Sequence, residues 1–281
     1  MDVSERGILY PARLPTFRRV EPPAAAADLV RWFWIPEWDL APGRSSRQHV
    51  IAFPACNLVV ESGLDSRVGF AGPTTRASHR DLVGRGWAVG ALLQPAAVPA
   101  LTVDPAADRD QYRALELPDL QGPVAAAMAP GGRERPDRYA QAVDAFAGWL
   151  LGHVGPPDEE ALLANRLAAL IESDSTVLRL EQAAELLYVS PRTVQRLARK
   201  YVGLPPATMI RRRRLQEAAG RVRDDPTTDL SALAATLGYS DRAHLANDFR
   251  STLGLTASAY RADSQESLPF HPPSTPPVDD A

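Results

Sequence analysis

The sequence predicts an α+β chain with three parts. An N-terminal antiparallel β-sandwich or barrel-like domain leads through a helical connector to a C-terminal all-α domain of two tandem helix-turn-helix units. Three observations carry this. Short apolar runs bounded by Pro, Gly, Asn or Ser occupy residues 29–95, and helical apolar spacing occupies 121–174. One helix-stop-helix pattern then occurs twice, fifty residues apart, between Leu180 and Tyr260. The expected boundaries are 1–120, 121–174 and 175–262, with a tail at 263–281.

A chain of 281 residues, 45% hydrophobic and 23% charged, is long enough to bury two cores. Cys56 is the single cysteine, so neither a disulfide framework nor a cysteine-built zinc site can form. The N-terminus has no apolar core and no run approaches a spanning length, which points to a cytoplasmic protein away from membranes. Net charge is −3, yet residues 176–262 hold fourteen Lys and Arg against eight Asp and Glu. That module is +6 and leaves −9 for the rest, a polarity that suits binding a polyanion by one end.

In chain order, residues 1–27 run through prolines and an alanine tract and suit a pairing or covering arm. Strands are expected in LVRWFWIPEW, HVIAFPA, NLVVES, RVGFAGP and WAVGALLQP. Trp32, Trp34 and Trp38 suit either a ligand pocket or, as aromatics on strands more often do, a core. GPVAAAMA, DRYAQAVDAFAGWLLGHV and EALLANRLAALIESD are helical, the second with Tyr139, Val143, Phe146 and Leu150 on one stripe. The tail DSQESLPFHPPSTPPVDDA has little to bury and is expected to be disordered.

In the first repeat, Leu180, Ala183, Ala184 and Leu187 form one stripe, Ser190 caps the next helix and Pro191 begins it. In the second, Leu230, Leu233, Ala234 and Leu237 form the stripe, Gly238 ends it, and Ser240 is the expected cap. Leu180, Ala184, Ser190 and Arg192 recur as Leu230, Ala234, Ser240 and Arg242; later pairs such as Gly203 and Gly254 are 51 apart, which places an extra residue in the second recognition helix. Between the repeats, residues 205–225 read as one connecting helix.

The outward face of the first recognition helix carries Arg192, Thr193, Gln195, Arg196, Arg199 and Lys200. Arg pairs bidentately with guanine and Gln with adenine, so Arg192, Gln195 and Arg196, near the helix start, are the base readers. Arg199 and Lys200 lie later and suit phosphate. In the second, Arg242 and Asn247 are candidate base readers and His244 a phosphate contact, with Asp241 and Asp248 expected to repel the DNA backbone. Arg211 to Arg214 point to all sides of a helix, so the run is expected to be mostly structural, with one member paired to Glu217. His49, Cys56, Glu61 and His79 lack metal-ligand spacing, and no catalytic constellation is visible.

VSPRTVQRLARKYVGLPP, RRRRLQEA and LGYSDRAHLANDFRSTLGLTASAYR together resemble the AraC/XylS family of transcription regulators over residues 176–262. The chain departs from that pattern at Ala257, where proline is usual, and at Asn247 and Asp248, where the family is more basic. The resemblance implies two helix-turn-helix units joined by a helix and docked in successive major grooves, about 34 Å apart. It also implies a sensing or dimerising β-domain before them. Candidate partners are double-stranded DNA, a small-molecule effector, RNA polymerase and a second copy in a homodimer; no cofactor is implied. The alternatives are a DNA-anchored enzyme and an effector-independent interaction protein.

Overall fold

The structure, a computed structural model, describes residues 17–50, 54–63, 67–76, 78–129, 134–225, 227–253 and 256–260. The expected disordered tail and most of the expected N-terminal arm lie outside them.

Six strands form one antiparallel sheet: β1 (Phe17–Val20), β2 (Val30–Asp39), β4 (Asn57–Glu61), β5 (Arg67–Ala71), β7 (Arg85–Leu93) and β8 (Tyr112–Leu115), in the order β1-β2-β7-β4-β5-β8. A separate ribbon pairs β3 (Ser45–Val50) with β6 (Ser78–Val83). The described end of the arm does pair, adding β1 along β2. The run HVIAFPA was expected as a strand of its own; β3 instead starts earlier and ends at Val50, and residues 51–53 lie outside the described set. Neither β6 (SHRDLV) nor β8 (YRAL) has the apolar alternation by which strands are recognised.

One face of the sheet is closed by helices. On α1 (Pro118–Met128), Leu120, Val124 and Met128 are buried, and on α2 (Arg135–Val154) Tyr139, Val143, Phe146 and Leu150 are buried, the stripe expected from sequence. They meet Phe33, Ile35, Leu58, Val60, Val68, Phe70 and Val89 in one core, where the rings of Phe33 and Phe146 cross at 5.4 Å. A bulge between Val30 and Trp32 shifts the alternation, so Val30 and Phe33 reach the same core from odd spacing.

The other face is organised by aromatics lying over glycines. Trp34 and Trp38 pair directly with Gly90 and Gly86, and Tyr112 lies diagonally over Gly69. A β-carbon at Gly90 would stand 2.1 Å from the Trp34 ring, which is itself tethered by donating from Nε1 to Asn57 Oδ1 at 3.0 Å. The ribbon leans on this face: Arg80 on β6 binds Glu61 and lies 5.7 Å from the Tyr112 ring, and Trp38 Nε1 donates to Val83 O. The guanidinium groups of Arg19 and Arg31 lie 4.2 and 4.9 Å from the centroid of the Trp32 ring. The three tryptophans therefore serve packing, and Glu61 is occupied by Arg80 and by the Tyr112 hydroxyl at 2.7 Å.

The expected connector divides between two cores. Whereas α1 and α2 complete the sheet domain, α3 (Glu159–Ser173) packs Ala161, Ala164, Leu167 and Ile171 against α4 (Leu180–Leu186) and α5 (Pro191–Leu197). The long helix α6 (Pro206–Asp224) contributes Met209 and Ile210 to that core. Its second half contributes Leu215, Ala218, Ala219 and Val222 to a third core with α7 (Leu230–Thr236) and α8 (Arg242–Leu253).

Gly90→Ala should lower stability by about 1–3 kcal/mol, the cost of overpacking a filled site. Gly122→Ala, on a helix with open space around the position, should be neutral or slightly stabilising. Urea unfolding followed by tryptophan fluorescence compares the two.

Candidate nucleic-acid interface

In the first unit Leu187 caps the end of α4, and Tyr188 turns the chain with φ +55°, a left-handed conformation. Val189 N then bonds back to Ala184 O at 2.9 Å. Ser190 caps α5, its Oγ accepting from Thr193 N at 3.1 Å, with the Thr193 hydroxyl 2.9 Å away. The helix continues past Leu197 as one wide turn over Ala198–Val202, closed by Gly203 N bonding to Ala198 O, and Gly203 at φ +77° ends it. Val194, Leu197, Ala198 and Tyr201 are buried; Arg192, Gln195, Arg196, Arg199 and Lys200 are exposed, with Thr193 half-buried.

Two of those exposed cations converge on α3. Asp158 caps α3 through Ala161 N, which sets Glu160 in the first turn, where the helix N-terminus favours a carboxylate. Its Oε2 accepts from Arg196 Nη1, and its Oε1 accepts from Lys200 Nζ at 2.8 Å and Tyr201 Oη at 3.3 Å. Lys200 and Arg196 hold the Glu160 carboxyl down at about 2, so it is ionised at neutral pH. Among the described residues Arg192 and Arg199 make no ion pair.

The second unit repeats the first with one change. Leu237, Gly238 at φ +72° and Tyr239 N bonding to Ala234 O match Leu187, Tyr188 and Val189 at an offset of 50. The cap is then Asp241, not Ser240, since Asp241 Oδ1 accepts from His244 N at 2.7 Å. From there the offset is 51: buried Leu245, Asp248, Phe249 and Thr252 match buried Val194, Leu197, Ala198 and Tyr201. The extra residue therefore lies in the turn rather than in the recognition helix. Arg192, Thr193, Gln195, Arg196 and Arg199 correspond to Ala243, His244, Ala246, Asn247 and Arg250. Arg242, Ala243, His244 and Asn247 are exposed, and the His244 ring stands edge-on to Tyr239 at 5.1 Å.

Asp248 does not face outwards to repel a duplex, because it occupies a core position. It is 2% exposed, accepts from Tyr239 Oη at 2.8 Å and is paired with Arg211 on α6. Further along the arginine run, Arg212 and Arg213 are buried and Arg214 is half-buried. Arg213 bonds Glu217 at 3.1 Å and the carbonyl of Val177 at 3.2 Å, Arg214 lies 4.0 Å from the Tyr239 ring, and burial, with Arg211 alongside, pulls the Arg212 guanidinium down to about 10.

The trailing end of α5 is docked on the sheet domain. A 3₁₀ turn at Pro95–Ala100 lies against Ala198–Val202, Ala96 N donates to Asn165 Oδ1 at 2.9 Å, and Asn165 Nδ2 donates to Asp28 O at 2.9 Å. Arg109 Nη2 reaches Gly203 O at 3.3 Å, and a β-carbon on Gly203 would stand 2.5 Å from Pro105. A cavity at this junction, lined by Arg31, Cys56, Val98, Glu172, Tyr201 and Arg213 among others, has a volume of about 30 Å³, room for one water. Cys56 is buried there and its thiol is pushed up by that burial.

Of the residues predicted from sequence, the fold brings Arg192, Gln195, Arg196, Arg199 and Lys200 onto one exposed face and diverts Thr193 towards its cap. It leaves Arg242, His244 and Asn247 exposed on α8. Sequence reasoning missed Glu160, 36 residues from Arg196, for which no local signal exists. It also missed Asp248 as a core residue, although positions 245, 248, 249 and 252 form a helical stripe that contained the clue.

Residues 183–263 match the family model of a helix-turn-helix domain, and residues 18–112 match a domain of unknown function. The regulatory protein PocR of Salmonella typhimurium is 29% identical over 120 residues, 43% of this chain and 39% of that protein. An uncharacterized HTH-type transcriptional regulator of Haemophilus influenzae is 28% identical over 103 residues, 37% of this chain and 34% of that protein. The matches thus span about two fifths or less of these relatives. ToxT from Vibrio cholerae aligns over 82% of this chain and 98% of its own, at 10% identity and a TM-score of 0.44.

Two stability outcomes follow from this geometry. Tyr188→Gly should be more stable than Tyr188→Ala by about 1 kcal/mol, because alanine keeps the left-handed strain and glycine removes it. Asp248→Ala should cost about 2 kcal/mol, having left the Tyr239 hydroxyl without its charged acceptor. Thermal melting of the purified variants reads both.

Proposed function

We propose that this chain regulates transcription by reading duplex DNA through α5 and α8, a reading supported by the match of residues 183–263 to a helix-turn-helix family model and by their resemblance to AraC-type regulators. The observation that carries the reading is the exposed face of α5, where Arg192, Gln195 and Arg196 stand near the capped helix start while the opposite face is buried. Side chains at that end of a recognition helix reach base edges: arginine matches guanine O6 and N7, and glutamine matches adenine N6 and N7. Arg199 and Lys200, a turn later, suit phosphate oxygens.

The second helix is chemically different. In place of Arg192, Gln195 and Arg196 it presents Ala243, Ala246 and Asn247, preceded by Arg242. Alanine packs against the thymine methyl and asparagine pairs with adenine, so α8 suits an A·T-rich groove, with Arg242 and His244 near the backbone. The extra turn residue is what sets this register.

The sheet domain serves as the modulating part, since its 95–110 segment holds the trailing end of α5 and leaves the leading end exposed.

Binding of fluorescent duplexes selected by the full chain from a random pool tests the reading. Arg192→Ala and Gln195→Ala should each weaken the selected duplex about 10-fold to 100-fold and relax preference at one base position. Arg199→Ala should weaken all sequences alike and reduce the salt slope by about one. A chain that binds no duplex at low salt would overturn it.

A further inference from the structure

We propose that Glu160 is a positioning residue that commits Arg196 to guanine; the proposal rests on the DNA-reading role of α5. Arg196 is half exposed and would otherwise sweep a wide arc on its flexible stem. Glu160 removes that freedom by taking Nη1 with Oε2. The Nε and Nη2 edge of the guanidinium makes no hydrogen bond among the described residues, and it is a two-donor fork of the kind that matches guanine O6 and N7.

The carboxylate is itself braced. Its other oxygen accepts from Lys200 and Tyr201, and Tyr201 belongs to the buried face of α5. Its backbone lies in the first turn of α3, which shares a core with α5 through Leu167 and Leu197. Arg196 is thus supported by a rigid second element rather than by its own helix alone, which lowers the ordering cost of a directed contact. Lys200 offsets the charge of Glu160, so the group of three remains net positive and does not repel a phosphate backbone. A freely moving arginine binds any phosphate within reach, whereas a fixed one favours the acceptor its fork meets. Glu160 therefore acts on discrimination more than on total affinity.

Glu159 provides the control: it adjoins Glu160, has the same side chain, is exposed, and makes no hydrogen bond or ion pair with α5 among the described residues. The full chain, Glu160→Gln, Glu159→Gln and Arg196→Ala are titrated against three probes. These are the duplex selected by the unaltered chain, the same duplex with G·C changed to A·T at the position whose preference Arg196→Ala abolishes, and a random-sequence duplex. Glu160→Gln is expected to reduce the preference for guanine about 3-fold to 10-fold while binding the random duplex as tightly as before or tighter. Glu159→Gln should keep the preference. Glu160→Asp, the milder change, keeps the charge but shortens the reach and should shift the preference in the same direction by less.

Full guanine preference in Glu160→Gln overturns the proposal. So does an equal loss on all three probes, the signature of a merely structural strut, or an Arg196-dependent base other than guanine. Failure of the unaltered chain to bind any duplex would instead remove the DNA-reading role itself.

Discussion

The arrangement of the C-terminal half depends on one constraint: α6 is buried in two cores at once. Met209 and Ile210 fill the core of the first unit, and Leu215, Ala218, Ala219 and Val222 fill that of the second. Each large apolar side chain buried contributes about 1.5–3 kcal/mol, against 1 kcal/mol or less for an exposed ion pair. Apolar burial on one continuous helix therefore sets the relation between α5 and α8, and the arginines along it adapt. Of the four consecutive arginines, Arg211, Arg213 and Arg214 each find a partner inside the domain, namely Asp248, Glu217 and the Tyr239 ring, while Arg212 is buried beside them.

The sheet domain follows a comparable rule. Its inner face is closed by α1 and α2, so its outer face has to stabilise itself. It does so by laying indole and phenol rings over glycines, where a side chain of any size would be in the way. The tryptophans that composition alone leaves open between pocket and core are thereby spent on the sheet.

The two recognition helices share a backbone plan and differ in what they expose. A one-residue lengthening of the second turn moves every later side chain by about 100° around the helix axis. That shift brings two alanines to the face that holds Arg192 and Gln195 in the first unit, whereas Asp248 falls on a buried position in either register, since both Leu197 and Ala198 are buried. The departure of Asp248 from the more basic pattern that residues 176–262 otherwise resemble is accounted for by its burial: it is an internal link to Tyr239 and Arg211, not a surface charge.

Local chemistry made much of this legible. Periodicity found α2 and its stripe of Tyr139, Val143, Phe146 and Leu150, cap chemistry found Ser190, and the repeat found both units and the exposed face of α5. These signals act within a few residues, so one sequence suffices to read them. Strands β6 and β8 were not legible because their polar residues are held by neighbours, and the position of the extra turn residue was not, because Ser240 and Asp241 can both cap.

By itself the sequence determined which stretches are helical, the cap that starts α5, and the inward faces of α2 and α5, since these follow from steric and hydrogen-bonding preferences of adjacent residues. Only the tertiary structure decided that the presumed connector is shared between two cores, that Asp248 is internal, and that Glu160 meets Arg196 and Lys200. Each of those is a contact between segments distant along the chain, and its existence depends on how whole helices pack rather than on any residue's own preference.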